Sequence, residues 1–129
     1  MATKGDFVEN ALGATETTET EVGTITIPQG VSKIIALYGD ITIQTTTAAE
    51  GAVGFIRLDS SDLSLAPAKF PARIVQGAAG TLAGIGPDST PHLIPVDIPV
   101  TGSARVVCYA ATELAQTGTC RGRIGFIMQ

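Results

Sequence analysis

The chain has 129 residues, of which 44% are hydrophobic and 16% are charged, and its formal net charge is −4. A chain of this length folds as one domain and buries enough surface for a core without metal or disulfide staples. An ordinary soluble domain has about 25% charged residues. A surface with so few charges favours self-association, because charge keeps exposed surfaces apart.

The negative charge is concentrated near the amino terminus. Residues 1–21 carry one lysine and five acidic residues, and the rest of the chain is neutral. Phosphate contacts need clustered lysines and arginines. The nearest approach to such a cluster is the pair Arg121 and Arg123. We interpret these two arginines as hydrogen-bonding residues on one face of a strand, at the rim of the sheet. The charge pattern therefore argues against direct nucleic-acid binding.

No segment approaches the roughly 18–20 apolar residues that a membrane span requires, and the first residues lack the apolar run of a signal peptide. We therefore expect no membrane contact, and we expect synthesis in a cytoplasm.

In chain order, residues 1–14 show no clear period and predict a flexible or partner-bound arm, followed by a single β-sandwich domain over residues 15–129. Ile25 and Ile27 then alternate with threonines, which is the pattern of a half-buried strand. Gly39 and Asp40 indicate the end of a second strand. The predicted strands are GTITIP (23–28), VSKIIALYG (31–39), ITIQTTT (41–47), GAVGFIRLDS (51–60), ARIVQG (72–77), HLIPVDIPV (92–100), SARVVCYAAT (103–112) and CRGRIGFIM (120–128).

These segments recur every 8–12 residues or so with turns rich in glycine and proline, which predicts an all-β sandwich or barrel of about eight antiparallel strands. No window has a good 3.6-residue apolar period, so helices are confined to single turns at SSDLSL and ATELAQ.

The proline-spaced segment 91–99 is predicted to lie at a sheet edge or against another subunit, because proline cannot donate a ladder hydrogen bond. The long irregular segment 77–91 before it is predicted to form contacts. Together with the apolar residues of the arm, these segments supply the candidate subunit contacts, which are Phe7, Val8, Leu12, Leu82, Ile85, Pro91, Pro95 and Pro99.

Residue types that carry catalysis are sparse. The one histidine, His92, is interpreted as a surface or packing residue, and no serine is marked as a nucleophile. Asp59 and Asp62 could face a cation or cap a turn, and we favour the cap, because a Ca²⁺ site needs more oxygen ligands. An enzyme would require these residues to converge with Asp88 or Asp97 in one pocket.

Cofactor motifs are absent from the sequence. The segment GAAGTLAGIG lacks the G-K-[ST] that completes a phosphate loop. Cys108, Cys120 and His92 supply three soft ligands without zinc spacing. We therefore predict no cofactor, no metal and no catalytic site.

Cys108 and Cys120 would lie opposite each other if their strands formed a hairpin about residue 114. Two buried free thiols are favoured over a disulfide, which stays open as the alternative.

The order GTITIPQGVSKIIALYGDITI, then GFIRLDSSDLSLAPAKFPARI, then a glycine-rich loop and two closing strands, resembles the small β-sandwich, jelly-roll-type structural proteins of icosahedral virus and phage particles. The resemblance implies a non-enzymatic virion protein that forms trimers or pentamers and either builds the capsid or decorates and cements it.

A coat protein that touches packaged genome often has a basic arm, whereas this arm is acidic, which favours the decorating role. The expected partners are copies of the chain and a capsid lattice, and the expected location is the virion, after synthesis in the host cytoplasm. The alternative is a carbohydrate- or protein-binding β-sandwich module. It is disfavoured because the chain has no tryptophan and two tyrosines from which to build a stacking platform.

Overall fold

A computed structural model describes residues 3–12, 19–44, 54–65, 68–77, 93–112 and 119–129. Within these ranges the protein is all-β and has eight strands. The strands are β1 (Lys4–Leu12), β2 (Thr20–Thr26), β3 (Lys33–Gln44), β4 (Gly54–Asp59), β5 (Lys69–Gly77), β6 (Ile94–Pro99), β7 (Arg105–Thr112) and β8 (Thr119–Met128).

The strands are hydrogen-bonded in the order β1-β8-β3-β5-β4-β7-β2, and β6 pairs with β3. Every pairing is antiparallel except that of β3 with β5. Four of the antiparallel pairs are nested, so that the first strand pairs with the last, the second with the seventh, the third with the sixth and the fourth with the fifth. The chain is thus folded back on itself about the β4–β5 connection.

The two end strands of this order, β1 and β2, lie side by side, so the sheet is nearly closed. The Asn10 side chain donates a hydrogen bond to the carbonyl oxygen of Glu21 at 3.2 Å. A Cβ atom on Gly23 would lie 2.7 Å from the Cβ of Val8. The glycine therefore permits the close approach of the two strands.

One apolar cluster joins buried side chains of β3 and β8 to those of β2, β4 and β7. From Val106 to Ala110 on β7 and from Ile124 to Met128 on β8, every second residue contributes a buried side chain to the core cluster, as the period-2 pattern predicts. The largest fully buried side chains of the cluster are Ile25, Ile27, Ile34, Leu37, Ile56, Val106, Ile124, Phe126 and Met128.

The prediction of separate strands before and after Gly39 and Asp40 is wrong, because β3 runs through both residues without a break. A Cβ atom at position 39 would lie 2.6 Å from the Cγ2 atom of Ile56, so the glycine makes room for a core side chain. Asp40 is buried and bonded to two arginines. Both residues thus serve packing inside a strand rather than a turn.

Residues 4–12 of the predicted arm form strand β1 and pair with β8 along their whole length. Val8 and Leu12 pack against the core cluster. Strand β1 is hard to recognise in the sequence, because most of its residues are exposed. Its partly buried side chains, Val8 and Leu12, are four residues apart and give no period-2 pattern.

The hairpin that would bring Cys108 and Cys120 opposite each other does not form among the described strands. Strand β7 pairs with β2 and β4, whereas β8 pairs with β1 and β3. In register, Cys108 lies opposite Gly23 and Leu58, and Cys120 lies opposite Leu12 and Ile43. Cys108 is a buried free thiol.

Candidate functional site

The outer surface of the β1–β8–β3 strands carries a row of alternating charges. Register places Glu9 opposite Arg123, Arg123 opposite Asp40, and Asp40 opposite Arg73 of β5. Arg121, two residues before Arg123, lies 3.7 Å from Glu9. Acidic and basic residues thus alternate across four strands, which we call the charge row.

Asp40 is the centre of the charge row. Its carboxylate accepts hydrogen bonds at 3.0 Å from Arg73 Nε and at 3.0 Å from an Arg123 guanidinium nitrogen. The Asp40 side chain is 5% exposed and those of Arg73 and Arg123 are 13% and 38% exposed. The carboxylate is therefore surrounded by opposite charge, which offsets the cost of its burial. Through these two ion pairs, Asp40 links β3 to β5 and β8.

An aromatic row crosses the same strands next to the charge row. Gly125 lies between Phe7 of β1 and Tyr38 of β3 in register. A Cβ atom on Gly125 would collide with the Tyr38 ring, so the glycine lets this ring lie across β8. Burial raises the pKa of the Tyr38 hydroxyl. Phe7 itself remains 52% exposed, so β1 presents a large apolar side chain to solvent.

An apolar cavity of about 380 Å³, the β6 cavity, lies between the end of β6, the start of β5, the end of β4 and the segment that follows β4. Its rim includes the side chains of Ser64 and Asp97. The apolar side chains that line it include Leu58, Leu63, Leu65, Phe70, Ile98 and Pro99.

The turn after β4 is capped mainly by Ser60, whereas the sequence predicts Asp59 and Asp62 as the caps. Asp59 accepts a hydrogen bond from the backbone N–H of Ser60. The Ser60 hydroxyl accepts from the N–H groups of Asp62 and Leu63 and donates to the carbonyl of Arg105. No helical turn forms in residues 60–65. These bonds attach the turn to the start of β7.

Asp62 completes this attachment. Its carboxylate accepts hydrogen bonds from the backbone N–H and the guanidinium of Arg105 at 3.0 and 3.3 Å. The same two bonds, the backbone one first, hold the pKa of Asp62 below its ordinary value. Asp59 lies 3.8 Å from Arg57 instead. The two carboxylates therefore have separate basic partners.

The predicted subunit contacts fall into three groups. Phe7, Pro95 and Pro99 are exposed on β1 and β6. Val8 and Leu12 are partly buried against the core. Outside the described residues lie Leu82, Ile85 and Pro91, as do Asp88, Ser89 and His92. Strand β6 pairs with β3 alone among the described strands, which confirms its predicted edge position.

Within the described ranges, no three side chains of histidine, cysteine, aspartate or glutamate come together as a metal site. The described residues also contain no helix with the length and apolarity of a membrane span.

Cys108 provides a test of the core on β7. Burial raises the pKa of its thiol from an ordinary 9.0 to about 12, so at pH 8 only about 10⁻⁴ of the group is thiolate. In a Cys120→Ser variant, which leaves Cys108 as the one thiol, we expect iodoacetamide to label the native protein at below about 1% of the rate in guanidinium chloride. Equal rates would show that β7 does not bury this residue.

The same shift predicts alkaline destabilisation. The folded state favours the neutral thiol, so its contribution to stability is complete below the unfolded pKa of 9.0 and is lost as the pH rises toward about 12. A Cys108→Ala variant measured by urea unfolding between pH 8 and 11 should lose less stability with pH than the parent.

No family model matches the chain, and no curated protein matches it. Among solved structures, it is similar to a chain of the cyanophage Pam1 capsid asymmetric unit, with 12% identity over 98% of this chain and 85% of that chain and a TM-score of 0.41. Similarity at this level establishes neither family nor function.

Proposed function

We propose that the chain is a non-enzymatic structural protein of a virus or phage particle, which forms or decorates the shell through contacts between its own copies. The observation that carries the proposal is the pairing of β1 with β8, β2 with β7, β3 with β6 and β4 with β5. An eight-stranded chain wound in this way has the connectivity of a jelly roll, an architecture of viral capsid proteins, lectin domains and cupins.

In the proposed jelly roll, the strands form the groups β1-β8-β3-β6 and β2-β7-β4-β5, and the apolar cluster contains buried side chains from both groups. The parallel pairing of β3 with the second half of β5 then connects the two groups at one side. Fold alone does not decide function, so the surface chemistry must separate the candidates.

The tyrosines favour the structural role over a sugar-binding module. Sugar platforms need an exposed aromatic face. The Arg57 guanidinium lies 4.5 Å from the centre of the Tyr109 ring and covers it. Tyr38 lies across the backbone of Gly125. Both rings are therefore engaged within the protein.

The arginines favour a position away from packaged nucleic acid, and hence decoration. Each arginine of the chain forms an ion pair with a carboxylate, Arg57 with Glu19 among them at 2.7 Å. Phosphate binding would require these cations to leave their partners. The −4 charge of residues 1–21 adds repulsion of phosphate.

The native mass of the purified protein, measured by light scattering across a wide concentration range, tests the proposal. We expect a trimer, a pentamer or a particle visible by electron microscopy. A strict monomer that also fails to bind shells would overturn the structural role, and glycan binding by that monomer would establish the alternative module.

A further inference from the structure

The aromatic row continues to the far edge of the β1-β8-β3-β6 group. Leu37 pairs with Ile94 at the start of β6, and the same register, continued by one residue, brings Leu93 opposite Tyr38. Because Ile94 packs against the core, Leu93 lies on the outer face. Phe7 and Leu93 are the two exposed large apolar side chains of the described residues. They therefore occupy the two ends of one row.

The next row on the same face is also apolar. Gly5, Ile127, Ala36 and Pro95 follow one another in register across β1, β8, β3 and β6. The charge row lies on the other side of the aromatic row. The outer face of the β1-β8-β3-β6 group thus presents two uncharged rows beside one row of alternating charge, which is more apolar than a surface that meets only water requires.

The order of the signs in the charge row indicates what covers this face. From β1 to β5 the row consists of Glu9, Arg123, Asp40 and Arg73, so the signs invert when the row is reversed about the midline between β8 and β3. A second copy, turned by 180° about an axis that follows this midline parallel to the strands, places a base opposite each acid. Glu9 then faces Arg73, and Arg123 faces Asp40. Complementary charges of this kind orient an encounter.

The same axis matches the aromatic rows of the two copies. It keeps each row at its own level, so Phe7 of one copy faces Leu93 of the other. The Tyr38 ring lies across Gly125 at the midline, so the two Tyr38 rings meet near the axis, where aromatic pairs stabilise a contact. An axis perpendicular to the strands would instead place each charge opposite its like or opposite an apolar row.

We propose that the outer face of the β1-β8-β3-β6 group binds the same face of a second copy about the strand-parallel two-fold axis. The axis leaves the strand direction unchanged, and sheets packed face to face keep their strands within about 30° of each other. This inference rests on the proposed assembly role and names one of its contacts. Dihedral symmetry combines rings with two-fold contacts, so a trimer or pentamer can contain this contact.

The test mixes two cysteine variants. Phe7→Cys carries an affinity tag and Leu93→Cys does not. In the proposed pair, residue 7 of one copy faces residue 93 of the other, whereas the two residues 7 are three strand spacings apart, or about 14 Å. With a short bis-maleimide we therefore expect a covalent heterodimer in the mixture, at least about tenfold more abundant than the dimer of either variant alone. The separate variants control for the native cysteines.

Charge reversal supplies the second measurement. Glu9→Lys places a cation opposite Arg73 of the second copy and should weaken association at least about tenfold. Its pair with Arg121 within the chain is exposed, at 3.7 Å, so folding should change little. Glu21→Lys is the matched control, because Glu21 is exposed on β2, outside this face, and its association should change less than about twofold. Circular dichroism confirms that both variants fold.

The outcomes separate the inference from the proposed function. Assembly that survives Glu9→Lys, with no mixed cross-link, overturns the two-fold contact and leaves the structural role intact. A wild-type protein that stays monomeric and does not bind shells overturns both.

Discussion

Replacing Ile25 by aspartate is expected to unfold the protein. Ile25 is 1% exposed and belongs to the cluster that joins the two groups of strands. Burying an unpaired carboxylate there costs several kcal/mol, which is comparable to the whole stability of a small domain, about 5–15 kcal/mol. We expect loss of the cooperative urea transition and an insoluble or unfolded product.

The matched control is Thr24→Asp, which places the same carboxylate one residue earlier on β2, where the side chain is exposed. Its free energy of unfolding should change by less than about 0.5 kcal/mol. A soluble Ile25→Asp protein with an unfolding midpoint like that of the control would show that the assignment of the buried face of β2 is wrong.

The second large effect is expected for Asp40→Asn. The substitution keeps the shape of the side chain and removes the charge that Arg73 and Arg123 both contact at 3.0 Å. Loss of one partner from a buried ion pair costs about 3–5 kcal/mol, because opposite charges are left uncompensated. We expect about 3 kcal/mol in urea unfolding, at the lower end of that range, since Arg123 is 38% exposed.

Asp59→Asn is the comparison for this prediction. The Asp59 side chain is 60% exposed and lies 3.8 Å from Arg57. Exposed pairs of this kind contribute about 0–1 kcal/mol. If the two variants lost the same small amount of stability, the charge row would be a surface feature rather than a link between strands.

Local patterns determined several parts of this protein. The alternation of apolar and polar residues predicts the strands and the buried faces of β2, β7 and β8, because side chains in a strand alternate between two sides. Prolines predict the edge position of β6, because proline lacks the donor that a central strand needs. The turn after β4 is local too, but its main cap is Ser60, which accepts from the N–H groups two and three positions ahead, rather than the predicted Asp59 and Asp62.

Tertiary structure decided what depends on distant partners. Gly39 and Asp40 have the composition of a turn, and only Ile56, Arg73 and Arg123 explain why they lie inside a strand. Strand β1 is stabilised by pairing with β8, more than a hundred residues away in sequence.

The β6 cavity is also a feature that only the tertiary structure decides. Phe7 is named from the sequence as a candidate contact residue, whereas the cavity is assembled from β4, β5, β6 and the turn after β4, which lie apart in the sequence. The sequence by itself determined the identity and buried face of strands such as β2, β7 and β8, because these follow from neighbours along the chain. Only the tertiary structure decided which strands pair and where the β6 cavity lies, because such contacts join residues whose separation no local period records.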